Sequence, residues 1–228
     1  FLRWITDMIF PTLLHVASWF PDKALTINLS HHRFFGEKIM AFPYGIDINP
    51  LDGSVWYAKL YANKLGRIDP KTMAITEYDT PLKGPRRPRF DAKGIFWIPS
   101  FDEGALMRFD TVSKTFESYK VPPVGDGEYE TPYALNVNRK TGDVWMAANN
   151  SDRVLRFTPA SKTFQSYPSP TRVTVLRDFA FTEDGRVCAS SSNLPAYAIE
   201  DQRPSIICID PDGADKDRKM VAAGQAKG

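Results

Sequence analysis

Four residues set at long and similar intervals, Tyr44, Arg86, Tyr133 and Arg177, could together hold an anion. A guanidinium is a planar fork of donors that fits the edge of a carboxylate or phosphate, and a phenol beside it adds a further polar group. Arg87 and Arg89 in the stretch GPRRPRF, with Arg172, add positive charge. If the fold gathers these side chains, a small anionic ligand is the expectation. The plainer alternative is that the arginines pair with Asp47, Asp91, Asp178 or Glu200 and only order their surroundings. Self-paired charge needs no ligand.

Other chemistry is sparse. His15, His31 and His32 all fall in the first 32 residues, so the rest of the chain has no histidine for a metal or a general base. Cys188 and Cys208 make neither a metal cluster nor a disulfide framework. They fall on neighbouring predicted strands, which permits one disulfide in an oxidising compartment; two buried free thiols are the favoured alternative. The acidic run GDGEYE, residues 125–130, alternates Asp126, Glu128 and Glu130 but lacks the rest of a calcium loop. It is expected to be a solvated rim loop. There is no G-x-S-x-G, no glycine-rich phosphate loop and no C-x-x-C. No catalytic residue, metal or cofactor is therefore expected.

Something must bring the four residues together. Trp56, Trp97 and Trp145 lie 41 and 48 residues apart, and Tyr78, Tyr119 and Tyr167 keep the same spacings. So do Asp69, Asp110 and Thr158, which close the segments LGRID, LMRFD and VLRFT. A looser fourth unit sets TEDGRVCAS against PLDGSVWYA, with Cys188 in the tryptophan position. The first unit divides into β runs at 44–49, 54–58, 64–69 and 75–78. Asp52-Gly53, Lys93-Gly94, Thr141-Gly142 and Asp184-Gly185 supply hairpin turns. A four-stranded unit of this length cannot bury both faces alone, so it must stack on its neighbours, and radial stacking makes a β-propeller. The predicted fold is all-β, with blades at 42–84, 85–129, 130–171 and 172–213 and a polar tail at 214–228. First strands line a propeller's channel, so Tyr44, Arg86, Tyr133, Arg177 and Arg89 are expected near one mouth of it. The three tryptophans are expected to fill the wedges between blades. Arg67, Arg108 and Arg156, one per unit, are expected to cover apolar surface with their stems.

Composition agrees with a globular β protein: 43% hydrophobic, 13% aromatic and 18 prolines. A net charge of +2 does not call for nucleic acid. Residues 1–41 are read as an apolar N-terminal segment, either a partial blade or a docking element. In that region ALTINL and RFFGEKIMAF read as third and fourth strands, with 16–20 a candidate second. The ring then closes with unusually few blades, or further chain or a partner completes it. The uncharged run 8–20 is 13 residues long and includes Pro11, short of the ~20 needed to span a bilayer. It reads as an interfacial or docking stretch, with Trp4, Phe10 and Trp19 as contacts. The long connection 190–204, carrying Leu194 and Tyr197, is the other expected partner surface.

The stretches PYGIDIN, GSVWYAKLYANKLGRIDPK and TEYDTP resemble the repeat of the virginiamycin B lyase (streptogramin lyase) propellers, in which P-Y/H-G-I, V-W-F, N-K-I-G-R-I-D and T-E-Y-P-L-P recur. The resemblance covers roughly residues 42–213. It implies a propeller, and its closing segment looks like the last blade of exported members. The family's lyase opens a cyclic depsipeptide by elimination with Mg²⁺, a His base at the P-Y/H-G position and a Glu after V-W-F-T. Here those positions hold Tyr44, Arg86, Tyr133 and Arg177, and Lys59, Ser100, Ala148 and Ser191. The lyase set is not carried by these blades. The expected role is a non-catalytic binding or scaffolding subunit, periplasmic or otherwise extracytoplasmic, docked on a larger, membrane-associated assembly of other protein subunits. The runner-up is a Mg²⁺-dependent lyase or lactone hydrolase with its catalytic residues on blades outside this chain.

Overall fold

Short β runs joined by tight turns zip into antiparallel sheets in a computed structural model, which describes residues 43–170, 174–191 and 205–222. The first sheet runs β1 (Pro43–Ile48), β2 (Val55–Lys59), β3 (Lys64–Ile68) and β4 (Ile75–Asp79) in chain order. The second is β5 (Arg89–Phe90), β6 (Ile95–Ser100), β7 (Ala105–Asp110) and β8 (Thr115–Lys120). The third is β9 (Pro132–Val137), β10 (Val144–Ala148), β11 (Arg153–Thr158) and β12 (Thr163–Pro168). The fourth has three strands, β13 (Leu176–Phe181), β14 (Val187–Ser191) and β15 (Ser205–Ile209), and is followed by helix α1 (Pro211–Ala222). Together the sheets form a four-bladed β-propeller.

The hairpin turns repeat because their chemistry repeats. Between β1 and β2 the Gly53 N–H donates to Asn49 O, and Asn49 N–H donates to Ser54 O. The pair recurs as Gly142 to Asn138 and Asn138 to Asp143. Gly53 and Gly142 adopt φ of 70° and 81°, a region costly for a side chain. Between third and fourth strands, Asp69 Oδ1 accepts the N–H groups of Lys71 and Thr72, and Asp110 Oδ1 those of Val112 and Ser113. That is the physical content of the recurring Asp.

The core lies in three wedges, one between each blade and the next. Trp56, Ala58 and Leu65 meet Phe90, Phe96, Ile98, Met107 and Phe109 of the second blade. Trp97 and Leu106 meet Leu135, Val144, Met146 and Phe157 of the third. Trp145 and Val154 meet Leu176, Phe179, Val187 and Ile207 of the fourth. Trp56, Trp97 and Trp145 are at most 2% exposed, so they are inter-blade core as the repeat implied. Across the strand pair each faces an arginine: Trp56 faces Arg67, Trp97 faces Arg108 and Trp145 faces Arg156. The arginine heads pair with Asp52 and Asp69, with Asp110 and Glu117, and with Asp143 and Asp215. Their role is structural.

Three expectations need correction, and the polar tail takes a form the sequence did not specify. The fourth blade has three strands among the described residues, not four. The polar residues after the fourth blade are partly helical: Asp210 accepts the Gly213 N–H at 3.1 Å, Pro211 takes the first helical position, and α1 follows. The Asp-Pro pair that closes a turn at residue 69 opens a helix here because Ala214 and Lys216 favour helix. Cys188 and Cys208 are not free thiols. They are paired in register on β14 and β15 and joined in a disulfide. Glu130, finally, is 2% exposed rather than solvated. Its carboxylate accepts the Asn150 N–H and the Ser151 hydroxyl and pairs with Arg153 at 2.7 Å, fastening the 125–130 loop to the third blade. Residues 1–41, with Trp4, Phe10 and Trp19, lie outside the described residues, as do Arg172, Leu194, Tyr197 and Glu200.

Candidate functional site

The first strand of each blade faces a common axis, as cross-links between blades show. Arg87 bridges in parallel to Ala134 of the third blade and donates to Arg177 O of the fourth at 3.2 Å. Arg89 of the second blade pairs with Asp178 of the fourth at 3.4 Å.

At three of these strands the ladder slips. The register shifts between Pro43 and Ile46, between Met146 and Ala148 opposite Tyr133, and between Leu176 and Asp178. Such an irregularity re-aims the side chain it carries. Those side chains are Tyr44, Tyr133 and Arg177. In the second blade prolines do the same work. Pro85 and Pro88 cannot donate to a ladder, so β5 is cut to two residues; ahead of it Pro85 makes an isolated bridge to Ser100 and the Arg86 N–H donates to Pro99 O at 3.0 Å. Arg86 was expected on a first strand; it stands on this irregular lead-in instead. Gly45 lets the lead-in come close. A Cβ there would sit 2.5 Å from Arg86 O and 2.5 Å from Pro88 Cδ.

The result is a cluster. The hydroxyls of Tyr44 and Tyr133 hydrogen-bond to each other, and Arg177 Nη1 donates to Tyr133 Oη at 2.8 Å. The guanidinium carbons of Arg86, Arg87 and Arg177 lie 5.3, 5.5 and 5.3 Å from the Tyr133 ring centre. Arg86 stacks 3.7 Å over Phe101, a wall that the sequence did not single out although it stands one residue beyond strand position Ser100. The Arg86 Nε is buried and has no hydrogen-bond partner among the described residues. Among the described residues no carboxylate forms an ion pair with Arg86 or Arg87. Arg89 differs, since Asp178 meets its charge.

The two phenols are driven apart. Burial pushes the Tyr133 hydroxyl up, but the bond with Tyr44 and the charges of Arg87, Arg177 and Arg86 outweigh it and leave it below the usual tyrosine range. Burial and the bond to Tyr133 raise Tyr44. One phenol of the pair gives up its proton early and the other late.

A hard Mg²⁺ does not fit this donor set. It wants carboxylate oxygens, whereas the cluster offers guanidinium and phenol groups and the nearby Asp178 is engaged by Arg89. At the strand-two positions Lys59 pairs with Glu77 at 2.7 Å, Ser100 Oγ donates to Lys83 O, and Ala148 and Ser191 are buried. Among the described residues no group of three or more His, Cys, Asp or Glu side chains could hold a metal.

With this geometry in view, solved structures place the chain. Virginiamycin B lyase from Staphylococcus aureus matches with TM-score 0.57 and 19% identity, over 76% of this chain and 57% of that one. The relationship is one of fold. Hydrazine synthase from Kuenenia stuttgartiensis matches with TM-score 0.64 and 14% identity, over 83% and 50%. An extracellular domain from B. thetaiotaomicron matches with TM-score 0.53 and 13% identity, over 78% and 24%. The chain spans about half the length of the lyase and synthase structures it resembles. No family model matches it, and no curated protein does by sequence. The virginiamycin-B-lyase-like propeller fold thus hosts dissimilar functions, and the residues at the axis have to carry the functional argument.

Proposed function

We propose that this propeller is a non-catalytic binding and scaffolding module that works outside the cytoplasm, docked on a larger, membrane-associated assembly. One observation carries the reading. The positions where the resembled lyase places its base and metal-side carboxylate hold Tyr44, Arg86, Tyr133 and Arg177, which gather round one another, and Lys59, which Glu77 neutralises. Such a set suits an anion, and it has neither the His nor the Glu of the resembled lyase. The Cys188–Cys208 disulfide suits an oxidising compartment, and an extracellular domain is among the similar folds. Among the described residues no helix is long and apolar enough to cross a membrane. Attachment is therefore assigned to partner subunits and to residues 1–20, with Leu194 and Tyr197 as a second contact.

The test is the mass and composition of the native particle, by gentle purification and intact mass spectrometry. Stoichiometric partner chains, cross-linked through residues 1–20 or 192–204, are the expected result. A particle that lacks partners and turns over a cyclic depsipeptide or lactone with Mg²⁺ would overturn the reading in favour of an enzyme.

A further inference from the structure

The geometry points to a multivalent oxyanion, with inorganic phosphate as its simplest form, as the ligand of the axial cluster, held by Arg86, Arg87 and Arg177 against the Tyr44–Tyr133 pair. The inference rests on the propeller being a binding module and names what its axis binds. Three guanidinium groups crowd one phenol ring, at 5.3, 5.5 and 5.3 Å from its centre. Like charges that close repel unless a counter-charge lies between them. Among the described residues Arg67, Arg89, Arg108, Arg153 and Arg156 each have a carboxylate within 3.5 Å. Arg86 and Arg87 have none among the described residues. Arg87 uses one Nη on a backbone carbonyl, and the buried Arg86 Nε donates to no group among the described residues.

A buried donor without an acceptor is costly, and a charged one more so. An oxyanion would supply acceptors to both arginines at once and screen their mutual repulsion. The surroundings favour tight binding. Phe101, Tyr44 and Tyr133 wall the arginines with low-dielectric rings, and Phe101 meets Tyr133 edge to face at 78°. Charge count selects valence. With several positive groups and no negative one on Arg86 or Arg87, a phosphate or polycarboxylate gains more than a monocarboxylate.

Titration calorimetry of the full chain with inorganic phosphate, citrate and acetate decides the matter. Phosphate and citrate are expected to bind, acetate at least tenfold more weakly, and added NaCl to weaken all three. Arg86→Gln and Arg87→Gln should each weaken phosphate by about tenfold or more, the worth of one charge-assisted hydrogen bond. Arg89→Gln, whose charge is already met, should change it by less than about twofold on the same reasoning. Should Arg86→Gln fail to fold, Arg86→Lys keeps the charge, loses the fork, and is expected to weaken phosphate in the same direction. Citrate tighter than phosphate would assign the physiological group to a polycarboxylate; the reverse order assigns it to a phosphate. A folded chain that ignores both, equal affinity for acetate, or unchanged binding in both glutamine variants would overturn the site. The two proposals fail separately. A partnerless chain that binds phosphate sinks the scaffold and keeps the site, and a complexed chain that ignores phosphate does the opposite.

Discussion

Cys208 lies across from Cys188 at the register position where Arg67 lies across from Trp56. In three blades that cross-strand pair is a tryptophan driven into the next wedge and an arginine covering it. The fourth blade has small residues there and a covalent bond. Leu65, Leu106 and Val154 are fully buried, whereas Ile206, at the matching place on β15, is 78% exposed. The disulfide fastens β15 where burial does not.

Reduction should therefore cost more than a surface disulfide usually would. The bond closes a separation of 20 residues, and chain entropy alone assigns it about 3 kcal/mol. Urea unfolding with and without reductant measures this, and the Cys188→Ala/Cys208→Ala double variant should match the reduced chain.

Trp97→Ala removes the largest side chain from the second wedge and should destabilise by about 3–5 kcal/mol. The denaturation midpoint reads it. Arg108→Met, which keeps the apolar cover and loses exposed ion pairs, should cost about 1 kcal/mol or less.

Glu130→Gln leaves Arg153 without its buried partner. Breaking one side of such a pair costs about 3–5 kcal/mol. Limited proteolysis should also find a new cut within residues 125–130, because the loop loses its fastening.

Acid stability has a local source at the turns. Backbone N–H groups of Thr72 and Lys71 hold the Asp69 carboxyl at about 2. Its folded pKa lies below its unfolded one, so the stability it lends is complete above about pH 4 and fades as pH falls towards 2. In Asp69→Asn the midpoint should depend less on pH across that window.

Tyr133 faces Tyr44, Arg86, Arg87 and Arg177, and that company lowers its pKa while raising the pKa of Tyr44. A spectrophotometric titration should show one phenolate forming before the remaining tyrosines. The early step should vanish in Tyr133→Phe. Bound phosphate should delay it, since a second negative charge there opposes the first.

Much of this was legible in the residues. The repeat of Trp, Tyr and Asp specified blades, turns and wedges, and placing Tyr44, Tyr133 and Arg177 at matched positions anticipated their meeting. Phe101 was not legible, because nothing in FDEGA marks it as the ring on which Arg86 would stack. Nor was the buried Glu130: GDGEYE reads as solvent until Arg153, 23 residues on, comes across the blade to neutralise it. Cys188 and Cys208 left two states open, which strand register resolved.

By itself the sequence determined periodic things. Alternation, turn chemistry and a fixed interval between large aromatics are local properties, and they suffice to define four stacked sheets. Only the tertiary structure decided which charges are met and which are not. Arg86, Arg87 and Arg89 are near neighbours in GPRRPRF, yet Arg89 finds Asp178 while Arg86 stacks on Phe101 and keeps an unmet donor. Partnership of that kind depends on distances between non-adjacent blades, set by how the wedges pack and where each first strand slips its register.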